Sequence, residues 1–241
     1  MASCAATAAA APEEIQVYMN EMGQPGEFGL DVHANYVLTG AATPDYPGAQ
    51  LARHALRVTP EFSYGLTRTL ELGAYVLGLR DADNRYRVGG EKLRLKFIPT
   101  GPDDPVFYGA NLEVGRVDHR LDENPWNGEL KGILGYKGTH WTAAVNANVG
   151  FKVSGPVSAP TTLELATKLS YAVSDALQVG IEHYNDLGEI RRLDNPGRQA
   201  HTTYAVLDTS VRGWDLNLGV GRGNAAASDR WVVKAIVGVP F

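Results

Sequence analysis

Asp31, His33, Glu61 and Ser63 are the residues whose types best match a catalytic set, because an acid, an imidazole and a hydroxyl together activate a serine nucleophile. They fall on the same face of two neighbouring segments of alternating polarity and point to a common interior. Attack on a lipid would need a site on the opposite face, so a hydrogen-bond network is expected and no catalytic residue. The six histidines (His33, His54, His119, His140, His183, His201) show no i, i+2 or i, i+4 pairing. The one cysteine, Cys4, stands alone, so neither a metal site nor a cofactor is expected. Asp81, Asp83 and Asn84 offer the oxygens of a calcium loop without its closing Glu, and read as a solvated turn. Gly219, Gly221 and Gly223 end an alternating run without opening a helix, which excludes a phosphate cradle.

The elements that must position these groups are strands. Composition allows it: of 241 residues, 44% are hydrophobic, 20% are charged and 27 are glycine, too apolar for disorder and rich in the residue of turns and close backbone approach. From residue 28 onward the apolar period is two. Leu30, Val32, Ala34, Tyr36 and Leu38 share one face against Asp31, His33 and Asn35. Ala143, Val145, Ala147, Val149, Phe151 and Val153 oppose Thr142, Asn146, Asn148 and Lys152. Such runs predict twelve strands, near 28–39, 52–66, 68–79, 88–98, 105–116, 128–137, 140–153, 161–173, 176–185, 200–211, 214–222 and 230–241. No helix of any length fits between them.

Three features turn the apolar face toward lipid and predict an all-β, antiparallel transmembrane barrel of the outer-membrane kind. Strands of about 12 residues, tilted roughly 40°, rise about 30 Å, enough to cross a bilayer core. With the C-terminus taken as periplasmic, the connections near Thr67, Pro102, Gly138, Ser174 and Gly213 are short, whereas those at 39–50, 80–90, 118–128, 186–199 and 223–229 are longer and polar. Aromatic residues gather near strand ends: Tyr108, Trp126, Tyr136, Trp141, Tyr184, Trp214 and Trp231. Phe241, at the C-terminal end of an alternating strand, fits the signal read by outer-membrane assembly machinery. Residues 1–13 are small and almost uncharged, as in the end of a secretory signal or a plain flexible tail. Residues 14–27 are expected as a periplasmic segment ahead of a single barrel domain 14–241, with 14–20 a short extra strand or a stretch tucked against the others. Arg80, Arg85, Arg87, Arg191, Arg192 and Arg198 lie in the longer connections, where they suit lipopolysaccharide phosphates or an ordinary solvated surface. Lys+Arg of 22 against Asp+Glu of 27, a net charge of −5, excludes a nucleic-acid footprint.

Twelve strands at about 4.8 Å spacing enclose roughly 24 Å between backbones and leave at most about 12 Å clear. By parity the lumen receives the acids Asp31, Glu61, Glu71, Glu113, Glu164, Glu182 and Asp215. It also receives the bases Arg57, Arg94, Lys96, Lys131, Lys152, Lys168 and Lys234, together with His33 and the amides Asn35, Asn111, Asn146, Asn148 and Asn217. Acids and bases balance. They either pair across strands and narrow the pore, or line a path that selects solutes by size and charge without strong ion selectivity.

The acidic-aliphatic opening from Glu14 to Gly40, its Pro25-Gly26-x-Phe28-Gly29 lead-in, Asn35-Tyr36 in the first strand and the final Gly238-Val239-Pro240-Phe241 resemble a family. It is the bacterial outer-membrane family named for the "MetA-pathway of phenol degradation". The resemblance implies a small barrel in a Gram-negative outer membrane that takes up aromatic or other hydrophobic compounds, and supplies no catalytic motif. The expected function is passive or facilitated passage of small solutes, aromatic ones included. A closed structural or adhesive barrel, and a soluble ligand-binding barrel with its apolar faces inside, are the alternatives.

Overall fold

The computed structural model describes residues 14–80 and 83–240. Its strands are β1 (Phe28–Thr39), β2 (Leu56–Gly65), β3 (Leu70–Arg80), β4 (Tyr86–Phe97), β5 (Val106–Val117), β6 (Trp126–Lys137), β7 (Trp141–Ser154), β8 (Thr162–Ser174), β9 (Leu177–Glu189), β10 (Arg192–Leu193), β11 (Ala200–Val211), β12 (Trp214–Gly223) and β13 (Trp231–Gly238). Each long strand pairs antiparallel with the next, β9 pairs with both β8 and β11, and β13 returns to β1. Twelve strands thus form a closed barrel, and closure leaves no unpaired edge among these twelve. The thirteenth, β10, is a two-residue ribbon on the end of β9.

All twelve expected strands are present. The largest departures are at β2, which starts at Leu56 instead of 52, and at β9, which runs to Glu189 instead of stopping at 185. The polar stretch expected there as an open loop folds back on itself, with Leu193 opposite Gly188 and Gly188 at a φ of 81° that suits glycine. At the other end of the barrel, Arg212 and Gly213 join β11 to β12 with φ of 53° and 84°, the paired positive angles of a tight type I′ hairpin.

The pleat sorts the side chains as expected. Phe62, Leu93 and Ile181 are 48%, 62% and 56% exposed on the outer surface, while Glu61, Arg94 and Glu182 beside or near them are buried inside. A soluble ligand-binding barrel would need the reverse, so that alternative fails. Tyr108, Trp126, Tyr136, Trp141, Trp214 and Trp231 are exposed on the outer surface near strand ends. Tyr184 is a correction. It shares the inward parity of Glu182, its hydroxyl donates to Glu182 Oε2 at 2.7 Å, and its ring packs edge-on to Tyr204 inside the barrel.

The segment ahead of β1 does not stay outside the barrel mouth. Gly26 and Gly65 hold it at the short-turn end, where Gly26 N–H donates to Gly65 C=O at 2.8 Å. From Gly23 back to Glu14 it then runs into the lumen without joining the strand ladder. Residues 1–13 and Phe241, expected to carry a residual signal and an assembly signal, lie outside the described residues.

Candidate functional site

The lumen and its inserted segment form the candidate site. Near the short-turn end, Gly23 N–H donates to Glu71 Oε2 at 2.7 Å, and Lys96 Nζ to the Glu21 carbonyl at 2.6 Å. Lys137 Nζ reaches Asn20 Oδ1 at 3.0 Å and Glu21 Oε1 at 3.3 Å. Confinement in the mouth works against the charge of Glu21, but the ammonium groups of Lys137 and Lys96 outweigh it and hold this carboxyl below the usual range.

At mid-height Asn146 grips the backbone of Tyr18 from both sides, accepting from its N–H at 2.6 Å and donating to its C=O at 3.0 Å. Those are the bonds a partner strand would make, supplied here by one side chain. The Tyr18 hydroxyl bonds Tyr75 at 2.6 Å and reaches Glu113 Oε1 at 3.4 Å. Lys131 Nζ stands 3.8 Å from the centre of its ring and Lys96 Nζ 5.2 Å, within cation–π range. Asn111 donates to Glu113 at 2.8 Å, Asn148 to Glu164 at 2.9 Å, and Lys131 pairs with Glu129 at 3.3 Å.

The segment's apolar side chains have their own sockets. Val17 and Tyr18 pack with Ile98, Phe107, Ile133, Ala144 and Ala166, while Ile15 packs with Val37, Tyr204, Val206 and Val232. Lys234 caps this end, donating to the Ile15 carbonyl at 2.9 Å and pairing with Glu182 at 2.5 Å. Glu182 also faces Lys168 at 3.4 Å, and Lys168 pairs with Asp208 at 2.8 Å, which accepts from Asn217 at 2.6 Å. With Asn111, Asn146 and Ala166 fully buried, mid-lumen is packed, not open. Beside the segment, a cavity of about 510 Å³ opens toward the short-turn end, lined by Met19, Met22, Arg94, Lys168, Asp215 and their neighbours.

On the wall formed by β1 to β4, Arg94 bridges Glu61 and Glu71, touching Glu61 Oε1 and lying 2.8 Å from Glu71 Oε1. Gly73 opposite leaves room for the guanidinium, since a Cβ there would strike it. His33 Nε2 meets Glu61 Oε2 at 3.0 Å, whereas Ser63 pairs in register with Gly29, so the imidazole's described partner is Glu61 and not the hydroxyl. Asn35 and Arg57, opposite each other in register, are buried further along the same wall. Two expected lumen residues sit at the mouths: Asp215 contacts Ser210 at the short-turn end, and Lys152 donates to the Val157 carbonyl of the β7–β8 connection at 2.8 Å. Sequence reasoning missed Tyr18, Tyr75, Tyr204, Asp208 and Glu14. The three on strands, Tyr75, Tyr204 and Asp208, follow parity, whereas Glu14 and Tyr18 belong to a segment with no ladder partner.

No protein-family model and no curated protein matches the sequence. Among solved structures the chain is similar to the KdgM porin, at 11% identity over 88% of this chain and 99% of that one, TM-score 0.58. It is similar to the COG4313 outer membrane channel from Pseudomonas putida F1, at 14% identity over 95% of this chain and all of that one (100%), TM-score 0.59. The NanC porin matches at 13% identity over 88% of this chain and 98% of that one, TM-score 0.56. The fold is that of an outer-membrane porin. No helix among the described residues is long and apolar enough to cross a membrane, and a barrel crosses with strands.

Proposed function

We propose that the chain is a small-solute channel of a Gram-negative outer membrane, closed at rest by its own residues 14–22, and that its mid-lumen admits aromatic solutes. One observation carries this reading: the segment is held by side-chain contacts to Tyr18, Ile15 and Glu21 and by no strand pairing, so it can be displaced without opening the barrel. The porins and the outer membrane channel of the same fold support passage of solutes. The outward apolar faces and rim aromatics support a bilayer around the barrel, with lipopolysaccharide beside the loop arginines.

The Tyr18 site supports the aromatic part. It holds a phenol ring between cations with a hydroxyl and a carboxylate at its tip, and a solute ring of like chemistry would meet the same groups once the segment moves. Membership of the "MetA-pathway of phenol degradation" family fits this reading, and assembly machinery acting on Phe241 belongs to the same proposal. Liposome uptake of 4-hydroxybenzoate against 4-hydroxycyclohexanecarboxylate tests it, because both are charged and similar in size. Cation–π attraction of about 0.5–1 kcal/mol or more predicts a preference of roughly twofold to fivefold for the aromatic acid, abolished by Lys131→Met. Equal rates would remove the aromatic claim. The packed mid-lumen also fits a closed structural barrel, which would pass neither acid.

A further inference from the structure

Glu14, His33 and Glu61 come from three parts of the chain: the lumenal segment, β1 and β2. One donor atom from each lies within 4.8 Å of the other two. An imidazole and two carboxylates are the ligands of a zinc-class cation, whose bonds of about 2.0–2.2 Å place donors roughly 3.4 Å apart. His33 Nε2 and Glu61 Oε2 are already 3.0 Å apart. Arg94 occupies the other oxygen, Oε1, and so leaves Oε2 turned to the imidazole.

A second observation points to a ligand. Glu14 Oε1 is buried with no hydrogen-bond partner, and the His33 side chain close by is 1% exposed. A buried carboxylate oxygen without a donor is costly, and a cation bound between Glu14, His33 and Glu61 removes the cost. The carboxylate of Asp31, two residues before His33 on the same inward face, makes the surroundings more negative. Spacing in the sequence gave no metal signal because the ligands are 19 and 28 residues apart and one of them arrives with the inserted segment.

We propose that Glu14, His33 and Glu61 bind one divalent cation of the zinc class, which fastens the N-terminal segment to the β1–β2 wall. The imidazole enters such a site neutral and the carboxylates ionised.

Titration of untagged full-length protein, folded in detergent, with Co²⁺ tests the site directly. One Co²⁺ per chain should bind with the intense visible bands of a four-coordinate complex, and Zn²⁺ should displace it. Glu14→Gln and His33→Gln should each weaken binding at least tenfold. Glu14 lies outside every strand, so its variant keeps the test valid even where the His33 variant does not fold; a band shift between unboiled and boiled samples reports folding. Absence of the bands at millimolar Co²⁺, or binding unchanged in Glu14→Gln, would overturn the proposal. The spectrum needs no conducting pore, so its outcome is independent of the channel reading.

Discussion

Glu182 lies between two ammonium groups, 2.5 Å from Lys234 and 3.4 Å from Lys168, and the Lys234 side chain is fully buried. Removing the acid alone leaves a buried cation without its counter-ion, a change that costs about 3–5 kcal/mol. Glu182→Leu should therefore unfold at clearly lower denaturant in detergent micelles, and a variant as stable as the parent would show that the lumenal pairs do not hold the barrel together. Glu21 behaves differently because two-thirds of its side chain is exposed. Its carboxyl is depressed when docked, so its hold on Lys137 is present above the ordinary carboxylate range and is lost as pH falls through the docked value. Conductance recorded from pH 7 to pH 3 should rise on acidification below the ordinary carboxylate range, and Glu21→Gln should flatten part of that rise. An identical profile in the variant would assign the acid response elsewhere.

Outward and inward residues alternate along each strand, so neighbours one position apart respond to opposite rules. Leu112, near the middle of β5, is exposed on the outer face, while Asn111 beside it is buried in the lumen. Leu112→Arg should cost about 2–4 kcal/mol if that face meets the bilayer core, read as reduced folding into lipid vesicles. No penalty in vesicles would contradict the lipid-facing assignment. This alternation is why the strands were legible in the sequence: one continuous apolar face per strand fixes both the element and its parity. The register of β1 on β2 then follows, and with it the meeting of His33 and Glu61. The inserted segment was less legible. Residues 14–20 alternate like a strand, but their partners are side chains scattered over β3 to β13, which no local pattern reveals. A signal existed in the wall itself. Val37, Phe107, Ile133, Val206 and Val232 occupy inward positions that a water-filled lumen would give to polar groups, and each packs directly or through its cluster against the segment. The residue type of Tyr184 suits the rim, but its parity with Glu182 turns it inward.

At the scale of the whole molecule, the barrel supplies a closed wall, the paired charges stiffen it, and residues 14–22 fill its middle. The long connections brace one another at the far end: the Tyr46 hydroxyl donates to the His119 carbonyl at 2.9 Å, and Val157 N–H donates to Asn124 Oδ1 at 3.1 Å. Segment and wall are thus distinct parts, one held by side-chain contacts and the other by the strand ladder. Single-channel recording in planar bilayers of the full chain beside a variant lacking residues 14–22 tests that separation most directly. The full chain should show rare or small openings, and the deletion should give a steady unitary conductance several times larger, with unboiled and boiled bands confirming that both fold. A folded deletion variant that stays silent would contradict the channel and leave a closed structural barrel in its place.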